Sequence, residues 1–289
     1  MYFDLSPYSL SDITIISVCY RSDDVVGGMI ESIPVGVPII IVDNGSTNDF
    51  AKLPAGRPVK IVMLANNEGF GKGCNAGAKE AHTKFLLFLN PDARLKDGAI
   101  EALLEAAERY PDGAAFNPRI ASKGGGAYFK RRSYLLPRAA YMKRGWPEND
   151  CIVPILSGAA LFVSKVNFEA VQGFDANIFL YHEDDDLSLR LQKLGPLFYV
   201  RNSLVEHASG HSTERSAEVA YFKAFHMARS RIYTGLKYQM PAPVLTTLLT
   251  GVLLLISPSS FFSRRRRAKA LGLIKGAREM ARELKTQGF

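Results

Sequence analysis

The stretch Pro38-Ile-Ile-Ile-Val-Asp-Asn-Gly45 joins an unbroken apolar run to a polar turn. The first third of the chain contains three similar runs: Ile13-Thr-Ile-Ile-Ser-Val18, Val59-Lys-Ile-Val-Met-Leu64 and Phe85-Leu-Leu-Phe-Leu89. Short, almost continuous apolar runs are typical of strands in a parallel sheet that is covered on both faces. Helical patterns separate these runs, at about 23–32, 73–81 and 97–110. The alternation predicts a doubly wound α/β fold, with a mostly parallel central sheet and helices on both faces.

Polar residues collect at the carboxyl ends of the predicted strands, where open α/β sheets bind their ligands. These ends carry Cys19-Tyr20-Arg21, Asp43-Asn-Gly-Ser46, Asn66-Asn-Glu-Gly69 and Asn90-Pro-Asp92. Asp43 can accept hydrogen bonds from a base or a ribose, although Asp-Asn-Gly is also an ordinary turn. Asp92 suits a divalent cation on a diphosphate, although an aspartate after proline is also a common turn residue.

The segment Asn66-Asn-Glu-Gly-Phe-Gly-Lys-Gly-Cys-Asn-Ala-Gly77 is rich in glycine. We interpret its glycines as positions where the backbone approaches a ligand, with a helix from about Gly73 that directs its amides at an anion. The stretch Gly71-Lys-Gly-Cys-Asn-Ala76 also fits a relaxed dinucleotide-binding pattern, with Asp92 at a suitable distance downstream. A nicotinamide oxidoreductase is therefore an alternative function, but it gives no role to the acidic residues described next.

Four consecutive acids, Glu183-Asp-Asp-Asp186, lie between the apolar run Ile178-Phe-Leu-Tyr181 and a helical pattern. Four adjacent carboxylates repel one another, so such a cluster persists where helix amides, a metal or a substrate offset the repulsion. The structural alternative is an acidic first turn of a helix.

Composition limits the classes of partner. Hydrophobic content of 47% and charged content of 22% are ordinary for a folded protein. The net charge is +8, but nine Lys/Arg and two Glu within 264–285 supply +7 of it, so the remaining chain is almost neutral. No nucleic-acid surface is expected from this distribution. Cysteines 19, 74 and 151 form no Cys-x-x-Cys pair, which disfavours a disulfide framework and a zinc site.

Two further segments have distinct compositions. Residues 119–154 contain eight Lys/Arg and no clear periodicity, so we expect a long loop that either meets a phosphorylated ligand or exposes a solvated face. Residues 239–263 contain no charged residue, and their apolar core is shorter than the roughly 20 residues of a membrane-spanning helix. Arginines 264–267 and a helical apolar pattern follow, which suits an anionic membrane surface. The alternative is a C-terminal helical pair packed on the domain.

Together, the motifs resemble those of bacterial family 2 glycosyltransferases of the GT-A fold, in particular the rhamnosyltransferase-like members. The resemblance extends from about 13 to 238. The matching stretches are Val42-Asp-Asn-Gly-Ser46, Asn67-Glu-Gly-Phe-Gly-Lys-Gly-Cys-Asn-Ala-Gly77, Leu89-Asn-Pro-Asp-Ala93, Gly158-Ala-Ala-Leu-Phe162, Gly173-Phe-Asp175, Glu183-Asp-Asp-Asp-Leu187 and His207-Ala-Ser-Gly-His-Ser212. Each stretch alone is modest evidence, but their order and spacing are specific.

The resemblance implies the nucleotide site. Asp43 would contact the base, with help from the strand-end backbone at Tyr20. Gly71, Lys72 and Asn75 would lie near the ribose and the phosphates.

The resemblance also implies a metal site for Mg²⁺ or Mn²⁺. Asp92 corresponds to the last acid of the family's Asp-x-Asp motif, and His207 matches a histidine that completes the metal site in some relatives. Asn90 replaces the first acid of that motif on the nucleotide side. One carboxylate is therefore expected in the metal shell.

On the acceptor side, the resemblance makes Asp184 the general base, with Glu183 and Gly158 shaping the acceptor pocket. The implied reaction is inverting transfer of a sugar, with rhamnose as a candidate, from a dTDP or UDP donor to a hydroxyl of a cell-envelope glycan or lipid-linked acceptor. A non-catalytic sugar or nucleotide binder is the second alternative, suggested by Asn90.

The expected organisation is a GT-A domain over 1–238 and an apolar and basic helical tail over 239–289. The domain would comprise a nucleotide half at about 11–118 and an acceptor half at about 155–238. No secretory signal is visible in Met1-Tyr-Phe-Asp-Leu-Ser-Pro7, so a cytoplasmic enzyme is expected, peripherally associated with the inner face of the plasma membrane through the tail.

Overall fold

The computed structural model describes residues 7–45, 53–54, 56–122, 124–207 and 216–286. Ser46 and residues 208–212 of the motifs above lie outside the described residues. The chain divides into two compact units, Met1–Asp175 with Asp184–Ser212, and Ala176–Glu183 with Thr213–Phe289. The functional boundary expected at residue 238 stays a prediction.

The first unit contains a mixed sheet flanked by helices. Its strands are β1 (Ile13–Cys19), β2 (Ile39–Asn44), β3 (Val59–Leu64), β4 (Phe85–Leu89), β5 (Ala93–Leu95), β6 (Ala115–Ser122), β7 (Cys151–Ile152), β8 (Ala160–Ser164) and β9 (Leu197–His207). Its helices are α1 (Asp23–Glu31), α2 (Phe70–Lys79), α3 (Ala99–Arg109), α4 (Lys165–Ala170) and α5 (Glu183–Leu191), of which α5 takes its first residue from the second unit. The strand order is β3-β2-β1-β4-β8-β6-β9-β5, and β7 pairs with β9.

The predicted α/β fold is confirmed. The four predicted strands, β1 to β4, form the parallel half of the sheet, and every residue of β1, β2 and β4 is buried. Strand β8 joins the second half through antiparallel pairing with β4 and β6, and β6 then pairs with β9 in parallel. Two apolar cores cover the two faces. One includes Met29 of α1 and Leu103 of α3, and the other includes Cys74 of α2 and Leu187 of α5.

In the described part of the second unit the helices are α6 (Ala217–Lys237), α7 (Pro243–Ile256), α8 (Pro258–Phe261) and α9 (Arg264–Thr286). Gly272 and Gly276 of α9 lie directly against the backbone carbonyls of Tyr221 and Phe225 in α6, where a β-carbon would collide. Helices α6 and α9 therefore pack at close range around an apolar core. Within the part of the chain that the structure describes, no helix is both long enough and apolar enough to cross a membrane.

Candidate active site

The side chain of Asn44, the last residue of β2, holds the turn that precedes α2. Its Nδ2 donates to Asn67 Oδ1 (3.0 Å) and to the carbonyl of Gly69 (3.1 Å), and its Oδ1 accepts from the amide of Glu68 (2.9 Å). Gly45 has φ +70°, and a β-carbon there would collide with the facing backbone. The turn is therefore held against the end of β2. The sequence indicated a turn here but did not identify Asn44 as the residue that holds the next loop.

Helix α2 begins at Phe70, three residues earlier than the start predicted near Gly73, so most of the glycine-rich stretch is helical. Its glycines are buried against apolar side chains. A β-carbon on Gly71 would lie 2.9 Å from Phe174 Cβ, and one on Gly73 would lie 2.7 Å from Val18 Cγ1. Gly77 faces Ile16 in the same way. Gly73 and Gly77 let the helix pack closely on β1 and β2, and Gly71 lets it pack on Phe174. The expected approach of this backbone to a ligand stays a prediction.

The other predicted nucleotide-site residues occupy this end of the sheet. Asn75 accepts a hydrogen bond from the amide of Phe174 and donates one to its carbonyl, both at 2.8 Å, so its side chain links α2 to that segment. Lys72 is half exposed, with Nζ 3.9 Å from Glu68 Oε2. Tyr20 directly follows β1 and is half-buried. Their contacts with a nucleotide stay predictions.

Asp43 is buried on β2, beside Cys19 in the parallel register of β1 and β2. Burial raises the pKa of the Cys19 thiol to about 12, with a further contribution from the negative charge of Asp43. Cys19 therefore stays a thiol at physiological pH, and it cannot serve as a thiolate nucleophile.

A second group of polar residues lies where the carboxyl end of β4 meets the carboxyl end of β9. The antiparallel pairing of β5 with β9 places Ala93 opposite His207, which brings Asp92 beside the imidazole. Asp92 Oδ1 lies 3.1 Å from His207 Nε2, and Asn90 Nδ2 lies 3.2 Å from the same nitrogen. The side chains of Asp92 and His207 are only 2% and 8% exposed.

Asp92 and His207 are suited to a divalent cation whose remaining coordination positions are filled by a substrate and water. Among the described residues, no group of three or more His, Cys, Asp or Glu could hold a metal alone. Mg²⁺ commonly uses one or two protein carboxylates and takes its remaining ligands from substrate phosphates and water, and imidazole is a suitable further ligand for transition metals. Asp92 and His207 supply these two donors, and Asn90 contributes an amide where the family motif has an acid.

The predicted base, Asp184, lies in the first turn of α5. Its Oδ2 accepts a hydrogen bond from the amide of Gly158 (2.9 Å), and its Oδ1 accepts from the amide of Asp185 (2.9 Å). Lys130 Nζ lies 2.6 Å from Oδ2 and 2.7 Å from Asp185 Oδ1. Ser188 Oγ donates to the carbonyl of Asp184 (2.6 Å). The structure therefore places Asp184 and Gly158 together, and their roles toward an acceptor stay predictions.

The last acid of the cluster, Asp186, has a structural partner. Its fully buried carboxylate accepts from Arg190 Nε (2.9 Å), and a second guanidinium nitrogen of Arg190 lies 2.7 Å from the same oxygen. Arg190 also donates to the carbonyls of Val171 and Gly173.

Glu183 is buried and belongs to the second unit, so its role at the acceptor stays a prediction. Protein cations therefore offset part of the repulsion that the sequence indicated.

Asn117 is a further positioning residue that the sequence analysis missed. It is buried in β6, its Nδ2 donates to the carbonyls of Ser157 (3.1 Å) and Ala160, and its Oδ1 accepts from the amide of Ser157. These bonds shape the turn that presents the amide of Gly158 to Asp184. An asparagine within an apolar run was the available signal, because buried polar side chains require hydrogen-bond partners.

Comparison with known proteins gives consistent matches. A sequence profile described as Glycosyl transferase family 2 matches residues 14–171. A protein from two Mycobacterium tuberculosis strains, described as N-acetylglucosaminyl-diphospho-decaprenol L-rhamnosyltransferase, is 30% identical over 277 residues, covering 83% of this chain and 89% of its own length. The structure of S. aureus TarS 1-349 superposes with a TM-score of 0.55 at 14% identity, covering 94% of this chain and 91% of that one. The structure of GalNAc-T7 with UDP, GalNAc and Mn²⁺ gives 0.60 at 16% identity, covering 96% and 57%.

Proposed function

This chain belongs to glycosyl transferase family 2, and we propose that it is an inverting, metal-dependent enzyme that transfers a sugar from a nucleotide diphosphate to a hydroxyl of a lipid-linked acceptor. The nicotinamide oxidoreductase is the weaker alternative, because the family and the relatives that match this chain are glycosyltransferases and because it gives the acidic cluster at 183–186 no role. The non-catalytic binder is also weaker, because Asn90 still lies beside an aspartate and a histidine that suit a cation.

One observation carries the proposal: the segment 128–130 contacts both Asp184 and the Asp92–His207 pair. The ring of Tyr128 packs edge-on against His207, with ring centroids 5.3 Å apart. Burial raises the pKa of Tyr128, and the carboxylates of Asp184 and Asp92 both contribute to the increase. Lys130, two residues after Tyr128, lies with its Nζ 2.6 Å from Asp184 Oδ2. A carboxylate suited to proton transfer and a pair of side chains suited to a diphosphate-bound cation therefore both contact residues of one short segment.

The chemistry follows from these positions. An acceptor hydroxyl is a weak nucleophile, so a base within hydrogen-bond reach must take its proton as the new bond forms. Asp184 accepts that proton while the hydroxyl oxygen bonds to the anomeric carbon and the bond from that carbon to the diphosphate breaks. Attack from the face opposite the leaving group inverts the configuration. Asp92 and His207 would hold Mg²⁺ or Mn²⁺, which supplies positive charge to the departing diphosphate when bound.

The relative in Mycobacterium tuberculosis suggests the substrates. Its description names L-rhamnosyl transfer to N-acetylglucosaminyl-diphospho-decaprenol. We propose rhamnose as the transferred sugar and a polyprenyl-diphosphate-linked saccharide of the cell envelope as the acceptor. The donor nucleotide is dTDP or UDP, and a solved TarS structure with UDP-GlcNAc supports a nucleotide-sugar pocket in this fold.

The surface of the second unit suits an enzyme whose acceptor is anchored in a membrane. The outward face of α7 is apolar and exposed at Leu245, Leu249, Val252, Leu253 and Ile256. At helical spacing these five residues lie within an arc of about 100°. The exposed Phe261 and Phe262 follow, and then exposed arginines at 264–267. Contiguous apolar surface beside basic residues favours binding at an anionic bilayer surface, so we propose peripheral attachment at the inner face of the plasma membrane.

A thermal-shift experiment tests the donor and the metal together. We expect one nucleotide sugar, with dTDP-rhamnose tested first, to raise Tm by about 5 °C at 100 times its Kd with Mn²⁺ or Mg²⁺, and by much less with EDTA. Asp92→Asn should remove the metal-dependent part, whereas the matched variant Asp97→Asn, at an exposed position, should retain it. A shift with NADH and with none of the nucleotide sugars would instead support the oxidoreductase.

Vesicle sedimentation tests the membrane surface. The double variant Leu249→Glu, Leu253→Glu should bind vesicles containing anionic phosphatidylglycerol at least about 100-fold more weakly than the wild type, because burial of the two leucines together contributes about 3–6 kcal/mol. The matched variant Val166→Glu replaces an exposed apolar residue in the first unit and should bind normally. Unchanged binding of the double variant would rule out this face as the attachment surface.

A further inference from the structure

The segment that follows β6 directs two side chains toward the proposed active site. Its backbone runs beside β6, where the amide of Tyr128 donates to the carbonyl of Ile120 (3.0 Å). Alternate side chains of an extended segment point in opposite directions. Phe129 packs on Tyr199 in the apolar core, with ring centroids 5.6 Å apart, whereas Tyr128 and Lys130 contact groups of the active site. The core contact of Phe129 therefore sets the position of Lys130.

Lys130 forms two short ion pairs in a mostly buried position. Its Nζ lies 2.6 Å from Asp184 Oδ2 and 2.7 Å from Asp185 Oδ1, and its side chain is 21% exposed. Burial disfavours the charged ammonium group, but the attraction of Asp184 and Asp185 outweighs this effect and raises the pKa of Lys130 above its ordinary value. The cation therefore persists across the physiological pH range.

We propose that Lys130 is a positioning residue of the transfer reaction, which offsets the charge of Asp185 and thereby holds the carboxylate of Asp184 on the amide of Gly158. This role rests on the proposed function of Asp184 as the base. Asp184 and Asp185 are consecutive and their carboxylates share one ammonium group, so removal of that cation leaves two adjacent negative charges that repel each other in a poorly solvated place. The carboxylate of Asp184 then leaves the orientation in which it meets the acceptor hydroxyl.

The contacts also distinguish Lys130 from the other cations of its loop. The sequence left two alternatives for the basic residues of this loop, a phosphorylated ligand or a solvated face. Lys143 and Arg144 are exposed, as a solvated face requires, whereas Lys130 is directed at carboxylates. A lysine that binds a substrate phosphate would affect mainly KM, whereas a residue that positions the base affects kcat.

The first test compares steady-state constants. Lys130→Met should lower kcat about 100-fold, which lies at the low end of the usual contribution of a general base, with KM for the nucleotide sugar within about twofold. Lys130→Arg should retain most of the turnover because it keeps the charge. Lys143→Met is the matched control and should be unchanged. A normal kcat in Lys130→Met, or an increase in KM alone, would overturn the proposal.

The second test is a charge rescue. If Lys130 acts by offsetting Asp185, then Asp185→Asn in the Lys130→Met background removes the repelling charge and should restore kcat at least about tenfold. A role of Lys130 in substrate binding predicts no recovery. Rates are normalised to the folded fraction of each variant, so a gain in stability alone leaves kcat unchanged. Absence of recovery would therefore overturn the proposal even if Lys130→Met is inactive.

A stability measurement separates failure of this proposal from failure of the proposed function. Thermal unfolding should show a lower Tm for Lys130→Met and a partial return of Tm in the double variant, whether or not the substrate has been identified. An unchanged Tm in Lys130→Met would overturn the charge-offset role. The wild type is tested with every nucleotide donor. If it transfers no sugar while the Tm values follow this pattern, the proposed function is wrong and the charge-offset role of Lys130 is retained. If Lys130→Met does not fold, Lys130→Gln replaces it in all three measurements.

Discussion

Replacement of Asp184 by asparagine is expected to lower kcat by a factor of about 10³ to 10⁴, the upper part of the range for general-base catalysis. Asparagine matches aspartate in size, and its amide oxygen can still accept the hydrogen bond that the amide of Gly158 donates at 2.9 Å. An amide cannot take a proton from the acceptor hydroxyl at neutral pH. The variant should therefore fold and bind donor while the chemical step fails.

Two measurements check this result. Initial rates at saturating donor and varied acceptor give kcat, and calorimetry gives the donor Kd, which should stay within about twofold of the wild type. Asp97→Asn makes the same chemical change at an exposed position and should leave both values unaltered. Turnover within tenfold of the wild type would remove Asp184 from the base role. A large loss of donor affinity would assign Asp184 to the donor site instead.

The parallel half of the sheet could be predicted from the sequence because β1, β2 and β4 are buried on both faces and are almost continuously apolar. The edge strand β3 has a similar apolar run, although its side chains are partly exposed. Strand β6 was not predicted, since Pro118 interrupts its pattern and proline is rare in central strands. The structure accommodates Pro118 at a register shift between Pro118 and Arg119 in the pairing with β9. Strand β9 was not predicted either, because the polar run Arg201-Asn-Ser203 interrupts its apolar pattern.

The candidate site shows a similar limit. Asp92 and His207 are far apart in the chain. Their contact depends on the pairing of β5 with β9, which no local sequence pattern predicts. The resemblance to a family supplied that pair and the role of Asp184. It gave no indication of Lys130, which lies among several basic residues of one loop. Burial and contacts with Asp184 and Asp185 distinguish Lys130 from the exposed Lys143 and Arg144. Local periodicity predicts strands and helices, whereas the partner of a loop cation depends on tertiary packing.

Replacement of Arg190 by methionine is expected to lower the free energy of unfolding by about 3–5 kcal/mol, the usual effect of removing one partner of a buried ion pair. Asp186 is fully buried and would lose two contacts with the guanidinium group, at 2.9 and 2.7 Å. The carbonyls of Val171 and Gly173 would lose their donor as well. Methionine has a similar volume and replaces the aliphatic part of the arginine, so the effect reports lost polar contacts more than a cavity.

Urea unfolding of matched variants tests this expectation. Lys275→Met removes one partner of an exposed pair with the same i,i+4 spacing, 3.0 Å from Glu279, and should cost about 0.5 kcal/mol or less. The double variant Arg190→Met, Asp186→Leu removes both charges, and it should recover part of the loss because no buried carboxylate remains without its cation. A cost of Arg190→Met as small as that of Lys275→Met would show that water or another group replaces the guanidinium. A large cost would show that Asp186, through Arg190, stabilises α5 against the segment at 171–173.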